Sequence, residues 1–326
     1  MARSKNKSKA KKKSHTPCVR HLRYQLTNSG TPGTETSHFI SLSRDLSAVN
    51  RRLYRQGKHY FVKKITVTSR NTTNGLVSVS AAPNSWVISA AWKKSFRLWN
   101  SMREGHGGAP GSGLPRGVSP AKWADFKVYL SNDHRTATMA LPLDNGNNAV
   151  SLADSEWIHA RFISPDGTTG ADEFTAHLLG TDIGAVGSYD SVGIVKGYSE
   201  SRRTVFEDES GDLINTDSWM VNLFDDGTTL DEIAEDLKAD GDLAPYDMDS
   251  YPGGATNMPK PIVQQMKALV QSAAGATNAP SITLGGVQAP IGVLEIEIQS
   301  DVQDDVFDIL IELAEGDYKG VKALDM

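Results

Sequence analysis

Short segments that alternate apolar and polar residues recur along this chain, and that period of two constrains its fold more than any other feature. In Val293–Gln299 (VLEIEIQ), Leu294, Ile296 and Ile298 fall on one face and Glu295 and Glu297 on the other, the pattern of a strand with one face in a core. Tyr60–Thr68 (YFVKKITVT) is β-branched, aromatic and roughly alternating, which predicts a second strand. Further strands are predicted at His38–Leu42, Phe126–Leu130, Ala137–Leu141, Trp157–Ile163, Phe174–Leu179, Ser191–Tyr198, Trp219–Phe224 and Val306–Leu313, while Ile262–Ala273 fits either helix or strand. Asn74-Gly75 stands between Tyr60–Thr68 and LVSVS. It reads as a hairpin turn, because a type I′ turn needs positive φ at both central residues.

Helices are few. Asn84–Arg103 carries Ile88, Trp92, Phe96, Trp99 and Met102 on one stripe, with Lys93, Lys94 and Arg97 off it. A core-packing stripe with a solvated basic face fits this better than a nucleic-acid-facing helix. Ser43 or Asp45 can cap a short helix bearing Leu46, Val49 and Leu53, and Thr229 with Glu232 has capping-box spacing before Leu230, Ile233, Leu237 and a Gly241 stop. No strand–helix–strand alternation and no repeat is visible. Many short strands, 29 Gly and 14 Pro predict an all-β fold. The expected form is an antiparallel jelly-roll β-sandwich of about eight core strands with short helices in its connections.

Charge divides the chain. The first fourteen residues, MARSKNKSKAKKKS, hold seven Lys or Arg, and the first acid is Glu35. Nine basic residues precede Glu35: Arg3, Lys5, Lys7, Lys9, Lys11, Lys12, Lys13, Arg20 and Arg23. Of 34 Lys and Arg, 25 therefore remain against 39 Asp and Glu, so the body carries −14. Ordering a residue costs ~1–2 kcal/mol of backbone entropy, and almost nothing apolar precedes Val19 to offset it. Residues 1–34 are expected to be a disordered polyanion-binding arm. Residues 35–326 are expected to form one domain with loop insertions at about 103–122 and 207–280. Gly105–Pro120 and 207–250 within those regions are the candidates for exposed or interface loops; a host-cell receptor is expected as a partner, but no loop is assigned to it.

Catalytic patterns are not evident, and an enzyme is not expected. The eight histidines are scattered without HExxH, GYSES at Gly197–Ser201 lacks the closing glycine of a nucleophile elbow, and the one cysteine, Cys18, sits at the edge of the arm. Gly105–Gly117 (GHGGAPGSGLPRG) has no Lys after its glycines and Pro110 in a glycine position, so it is no phosphate-cradling loop. No apolar run approaches the ~20 residues of a membrane span, so membrane insertion is not expected. No cofactor is expected. Between Glu207 and Asp249 lie fifteen acids and one Lys, Lys238. An EF-hand register from Asp236 puts that lysine at a ligand position and fails. An exposed acidic region fits best. The sharper reading is structural Ca²⁺ held at a subunit interface, with Asp225, Asp226, Asp247 and Asp249 as its candidate ligands. In the arm, Tyr24 is the only aromatic near the basic residues, so phosphate neutralisation without base reading is expected. Lys9–Lys13 (KAKKK) also fits a nuclear-localisation signal.

Six stretches stand in an order that resembles the capsid (coat) proteins of small circular Rep-encoding single-stranded DNA viruses, the environmental and marine group. They are DLSAVNRRLYRQGKHY (Asp45–Tyr60), NSWVISAAWKKSFRLWNSM (Asn84–Met102), GYSESR (Gly197–Arg202), LAPYDMDSYPGG (Leu243–Gly254), GGVQAPIGVLEIE (Gly285–Glu297) and GDYKGVKA (Gly316–Ala323). The resemblance implies an eight-stranded jelly roll that self-assembles as a homo-oligomer of 60 or more copies into an icosahedral shell. It also implies an inward basic arm that binds the viral genomic single-stranded DNA. The protein would then belong to the virion, with the host nucleus as its site of assembly. Nine charges in each of sixty copies come to about 540, a plausible partial neutralisation of a single-stranded genome. Two alternatives stay open: the coat protein of a small positive-strand RNA virus, which shares the architecture, and a monomeric β-sandwich binding module with a nuclear-localisation tail.

Overall fold

The computed structural model describes residues 16–28, 30–69, 74–105, 125–152, 156–165, 171–185, 188–201, 261–270 and 280–326. In chain order its elements are β1 (His21–Asn28), β2 (Glu35–Ser41), α1 (Leu42–Asn50), β3 (Lys58–Ser69), β4 (Asn74–Ala81), α2 (Trp86–Gly105) and α3 (Asn132–Thr136). There follow β5 (Arg161–Pro165), β6 (Ala171–His177), β7 (Ile183–Ala185), β8 (Ser188–Gly193), α4 (Ile194–Glu200), β9 (Ile262–Val270) and β10 (Ser281–Leu284). The last are β11 (Val287–Ala289), β12 (Val293–Ser300), β13 (Asp305–Leu313), β14 (Glu315–Gly316), β15 (Gly320–Val321) and β16 (Ala323–Asp325). They form two compact units, Met1–Asn84 with Trp123–His159 and Pro261–Met326, and Ser85–Lys122 with Ala160–Lys260. Where one domain over 35–326 with loop insertions was expected, the chain leaves the first unit twice between β4 and β9, and those stretches cluster as the second.

Among the described residues the first unit contains two large antiparallel sheets beside the short β14–β15 pair. One runs β1-β13-β3-β10, with β11 and β16 also paired to β3, and the other runs β2-β12-β4-β9. Number the eight strands β1, β2, β3, β4, β9, β10, β12 and β13 from first to eighth. The first then pairs with the eighth, the second with the seventh, the third with the sixth and the fourth with the fifth. Alternation explains the ladders. Leu22, Tyr24 and Leu26 of β1 face Ile311, Ile309 and Phe307 of β13, and Leu294, Ile296 and Ile298 of β12 face Ala81, Val79 and Val77 of β4. All twelve are buried in one apolar cluster fed by both sheets. Fully burying a large apolar side chain contributes ~1.5–3 kcal/mol, so these central pairs fix the register. On the opposite face of β12, Glu295 is buried and Glu297 accepts hydrogen bonds from Ser37 Oγ (3.3 Å) and Ser78 Oγ (3.0 Å).

Asn74-Gly75 does not make a hairpin between β3 and β4. It opens β4 and pairs with Leu269 and Val270 of β9, while β3 lies in the other sheet. Non-local pairing with β9 and β12 overrides the local turn signal. The reverse crossing, from β11 to β12, uses the Pro290–Gly292 turn, with Ile291 at φ 53° and Gly292 at φ 70°. A Cβ on Gly292 would stand 2.8 Å from Cδ2 of the Tyr60 ring, so the position demands glycine. Phe126–Leu130 and Ala137–Leu141 are not strands. Phe126, Val128 and Leu130 are nonetheless buried, and the Gln56 side chain imitates a ladder partner. It accepts from Val128 N–H at 2.7 Å and donates to Val128 C=O at 3.0 Å.

In the second unit β5-β6-β8-β7 form a mixed sheet in which β6 and β8 run parallel, a departure from the all-antiparallel expectation. His177 Nδ1 and Ser191 Oγ, 2.8 Å apart, tie that parallel pair. Ser191–Tyr198 was expected as one strand. It divides into β8 and α4, and Asp182 stitches the junction by accepting from Gly193 N–H (2.8 Å) and Lys196 Nζ (2.6 Å). At twenty residues α2 is not a short helix. Of its stripe, Ile88 and Trp99 are buried, whereas Trp92 and Phe96 stack with centroids 5.4 Å apart and Phe96 remains exposed. Lys93, Lys94 and Arg97 are all exposed on the basic face, and Lys94 donates to Ser201 Oγ at 2.6 Å beyond the end of α4. The strand expected at Trp219–Phe224 and the helix at Thr229–Gly241 lie outside the described residues.

Candidate nucleic-acid interface

Of the nine basic residues assigned to the arm, Arg3, Lys5, Lys7, Lys9, Lys11, Lys12 and Lys13 lie outside the described residues, as do Asp225, Asp226, Asp247 and Asp249. Arg20 and Arg23 are placed, and their placement corrects the boundary. Residues 21–28 are not disordered arm but β1, an edge strand of the larger sheet. The alternation of Leu22, Tyr24 and Leu26 was the available signal, obscured by interleaved charge. Arg20 Nη1 meets Glu315 Oε2 at 2.6 Å, and Arg23 Nη2 donates to Asn147 Oδ1 and to Asp144 C=O at 3.4 Å. Both guanidiniums bond to the body, so the cations assigned to the arm fall from nine to seven.

The segment that joins arm to body is fastened at several points. Val19 N–H donates to Asn50 Oδ1 at 2.7 Å, and Asn50 Nδ2 donates back to Val19 C=O at 3.1 Å. Arg52 Nη1 donates to Pro17 C=O at 3.4 Å. Cys18 packs beside Gly320, at φ 97°, where an added Cβ would stand 2.5 Å from Cys18 Sγ. Behind the first turn of β1, Tyr24 donates its hydroxyl to buried Asp45 Oδ2 at 2.7 Å, and Arg44 Nε donates to Asp45 Oδ1 at 2.8 Å. Burial pushes the Asp45 carboxyl up to about 6 despite these two donors.

Around this root lies a group of cations that the sequence reading did not single out. Helix α1 ends with Arg51 in the left-handed conformation, φ 51°, and the following turn presents Arg52 and Arg55. Lys58 opens β3 with its Nζ 4.3 Å from the Tyr318 ring centroid. Lys319 donates to Leu53 C=O, and its own carbonyl accepts from Tyr54 OH at 2.9 Å. Arg55 N–H donates to Tyr318 OH at 3.0 Å. Burial, then the charges of Arg55 and Arg52, and more weakly Lys58, lower the Lys319 ammonium below its usual range, with Asp125 opposing them. Carboxylates at hand include Asp125, 3.6 Å from Arg55 Nε, Asp325 at Lys58 and Glu156, 3.9 Å from Arg51 Nη1. RRLYR in Arg51–Arg55 carried a readable basic signal. Lys58 and Lys319 join it only through β3 and the β14–β15 turn.

Two further titratable groups sit in the same unit. His134 stacks on Phe39 with centroids 5.1 Å apart, and its Nδ1 accepts Leu130 N–H at 2.9 Å. The ring therefore carries its proton on Nε2, facing Met139 Sδ at 2.9 Å. His159 stacks on Tyr129 at 3.7 Å. Burial is the main cause that lowers both to about 3, helped by His159 and Arg44 at His134 and by Lys127 and Arg44 at His159. They are neutral core aromatics. Among the described residues no group of three or more His, Cys, Asp or Glu could hold a metal ion, and no helix is long and apolar enough to cross a membrane. Comparisons of the chain with protein-family models, with curated proteins and with solved structures found no match.

Proposed function

We propose that the protein is a non-enzymatic structural capsid subunit, a jelly roll that assembles with copies of itself into a closed icosahedral shell and packages single-stranded nucleic acid through its basic arm. The observation that carries this reading is the strand pairing first with eighth, second with seventh, third with sixth and fourth with fifth. That is the pairing of one long antiparallel ribbon rolled up on itself, the plan of jelly rolls in viral capsids. The arm supports it by position, since the basic run enters the first strand of that ribbon. Seven arm cations in each of sixty copies still bring about 420 positive charges to one cavity, on the scale needed to neutralise part of a strand with one charge per nucleotide. The acidic body favours solubility and repels nucleic acid elsewhere. Single-stranded DNA is the proposed genome. RNA is the alternative, and nuclease sensitivity of the packaged material separates them.

Electron microscopy and sedimentation of the purified full chain test the proposal. Megadalton shells that contain nucleic acid are expected. Replacing the seven arm cations by serine should leave shells that form but hold far less nucleic acid than the unaltered ones. A species that stays at the 35.3 kDa monomer mass at every salt concentration would refute assembly and favour the binding-module reading.

A further inference from the structure

The cations at the arm root differ from ordinary surface lysines in being gathered and held. Four of them, Arg52, Arg55, Lys58 and Lys319, stand together on a body whose acids outnumber its bases 39 to 27 once the seven arm cations are set aside. Among the described residues neither Arg52 nor Lys319 has a carboxylate at ion-pair distance, while Asp125 meets Arg55 and Asp325 meets Lys58. Like charges so placed repel one another, and the lowered Lys319 ammonium registers that repulsion beside its burial. An arriving anion would relieve it. The side chains are also oriented in advance: Lys319 by Leu53 C=O, Lys58 by the Tyr318 ring and Arg52 by Pro17 C=O. Less rotamer freedom is then lost on binding.

We propose that Arg52, Arg55, Lys58 and Lys319 form a second binding site, on the folded body, for the phosphodiester backbone of a single-stranded nucleic acid. The inference rests on the packaging reading and extends it from the arm to the shell itself. The arm delivers the ligand. Lys13 is four residues before Pro17, and a chain spans at most ~3.6 Å per residue, so the last arm lysine stays within about 14 Å of the residue that Arg52 holds. Since Lys58 already covers the Tyr318 ring, the site takes phosphates rather than stacked bases, and oligo-dT and oligo-dA should bind alike.

The test uses the full chain with its seven arm cations changed to serine, titrated with fluorescent oligo-dT at low salt. Residual, salt-sensitive binding is expected. Adding Arg52→Ala with Arg55→Ala should weaken it about tenfold and reduce the slope of log affinity against log salt by roughly 1.4, about 0.7 for each lost phosphate contact. The charge-matched control, Lys93→Ala with Arg97→Ala on α2, should change affinity less than about twofold, and Arg52→Lys with Arg55→Lys should keep most of the binding. No binding by the arm-neutral chain, equal loss in the control, or loss in the lysine pair would overturn the site. Failure of the packaging reading looks different: the arm-neutral chain would bind as tightly as the unaltered one, or no shells would form.

Discussion

Mild acid should loosen this fold through two imidazoles, His134 buried and His159 half-buried, and the size of the effect follows from their surroundings. His134 and His159 stay neutral in the folded chain down to about 3, against 6.5 for an ordinary histidine. As pH falls below 6.5, the unfolded chain takes up protons that the folded chain refuses. Each histidine therefore costs about 1.4 kcal/mol of stability per pH unit in that window. Asp45 acts in the opposite direction. Its folded value of about 6 lies above the ordinary 3.8, so from pH 6 downward the folded chain gains a proton first and is stabilised by a similar amount. Two losses and one gain leave a net fall of about 1.4 kcal/mol per unit, or roughly 2 kcal/mol between about pH 6 and pH 4.5. His38, also lowered by burial, adds to the loss. Protonating His134 would also displace the Leu130 N–H from Nδ1, which gives the penalty a structural site. Urea unfolding followed by tryptophan fluorescence at several pH values measures the curve. His159→Gln should flatten it by about 1.4 kcal/mol per unit relative to the unaltered protein, and Asp45→Asn should steepen it by about as much. Parallel curves for His159→Gln and the unaltered protein over that range would refute the reasoning.

Two other substitutions probe the joints of the first unit. Gly292→Ala must take φ 70° and place its Cβ 2.8 Å from the Tyr60 ring; a loss of about 1–3 kcal/mol is expected, read as a lowered midpoint in thermal melts. Tyr24→Phe removes a 2.7 Å hydrogen bond to a buried carboxylate, costing about 1–3 kcal/mol. Because that bond serves the ionised form of Asp45, unfolding experiments should show a larger loss at pH 8 than at pH 5.

Local pattern determined much of this molecule. Period-two alternation located β3, β12 and β13 to within a residue or two, and 3.6-residue spacing found α2, because side-chain direction in a strand or helix is set by the backbone alone. Of the short helix, Leu46 and Val49 fall in α1, but its cap is Ser41 rather than Ser43 or Asp45 and it ends before Leu53. Composition fixed the opposite signs of arm and body. What tertiary structure decided was partnership. Whether Asn74-Gly75 turns or pairs depended on β9, almost two hundred residues away, and whether Phe126–Leu130 became a strand depended on which backbone stood beside it. The arm's end was decided the same way: Leu22, Tyr24 and Leu26 become β1 because β13 offers Ile311, Ile309 and Phe307 across the ladder. The basic group at the arm root shows the division most plainly. Arg52 and Arg55 are neighbours in the chain and legible there, but Lys58 and Lys319 share no local pattern. They meet because a sheet brings the start of β3 against the turn that holds Tyr318, and charge interacts through space rather than along sequence.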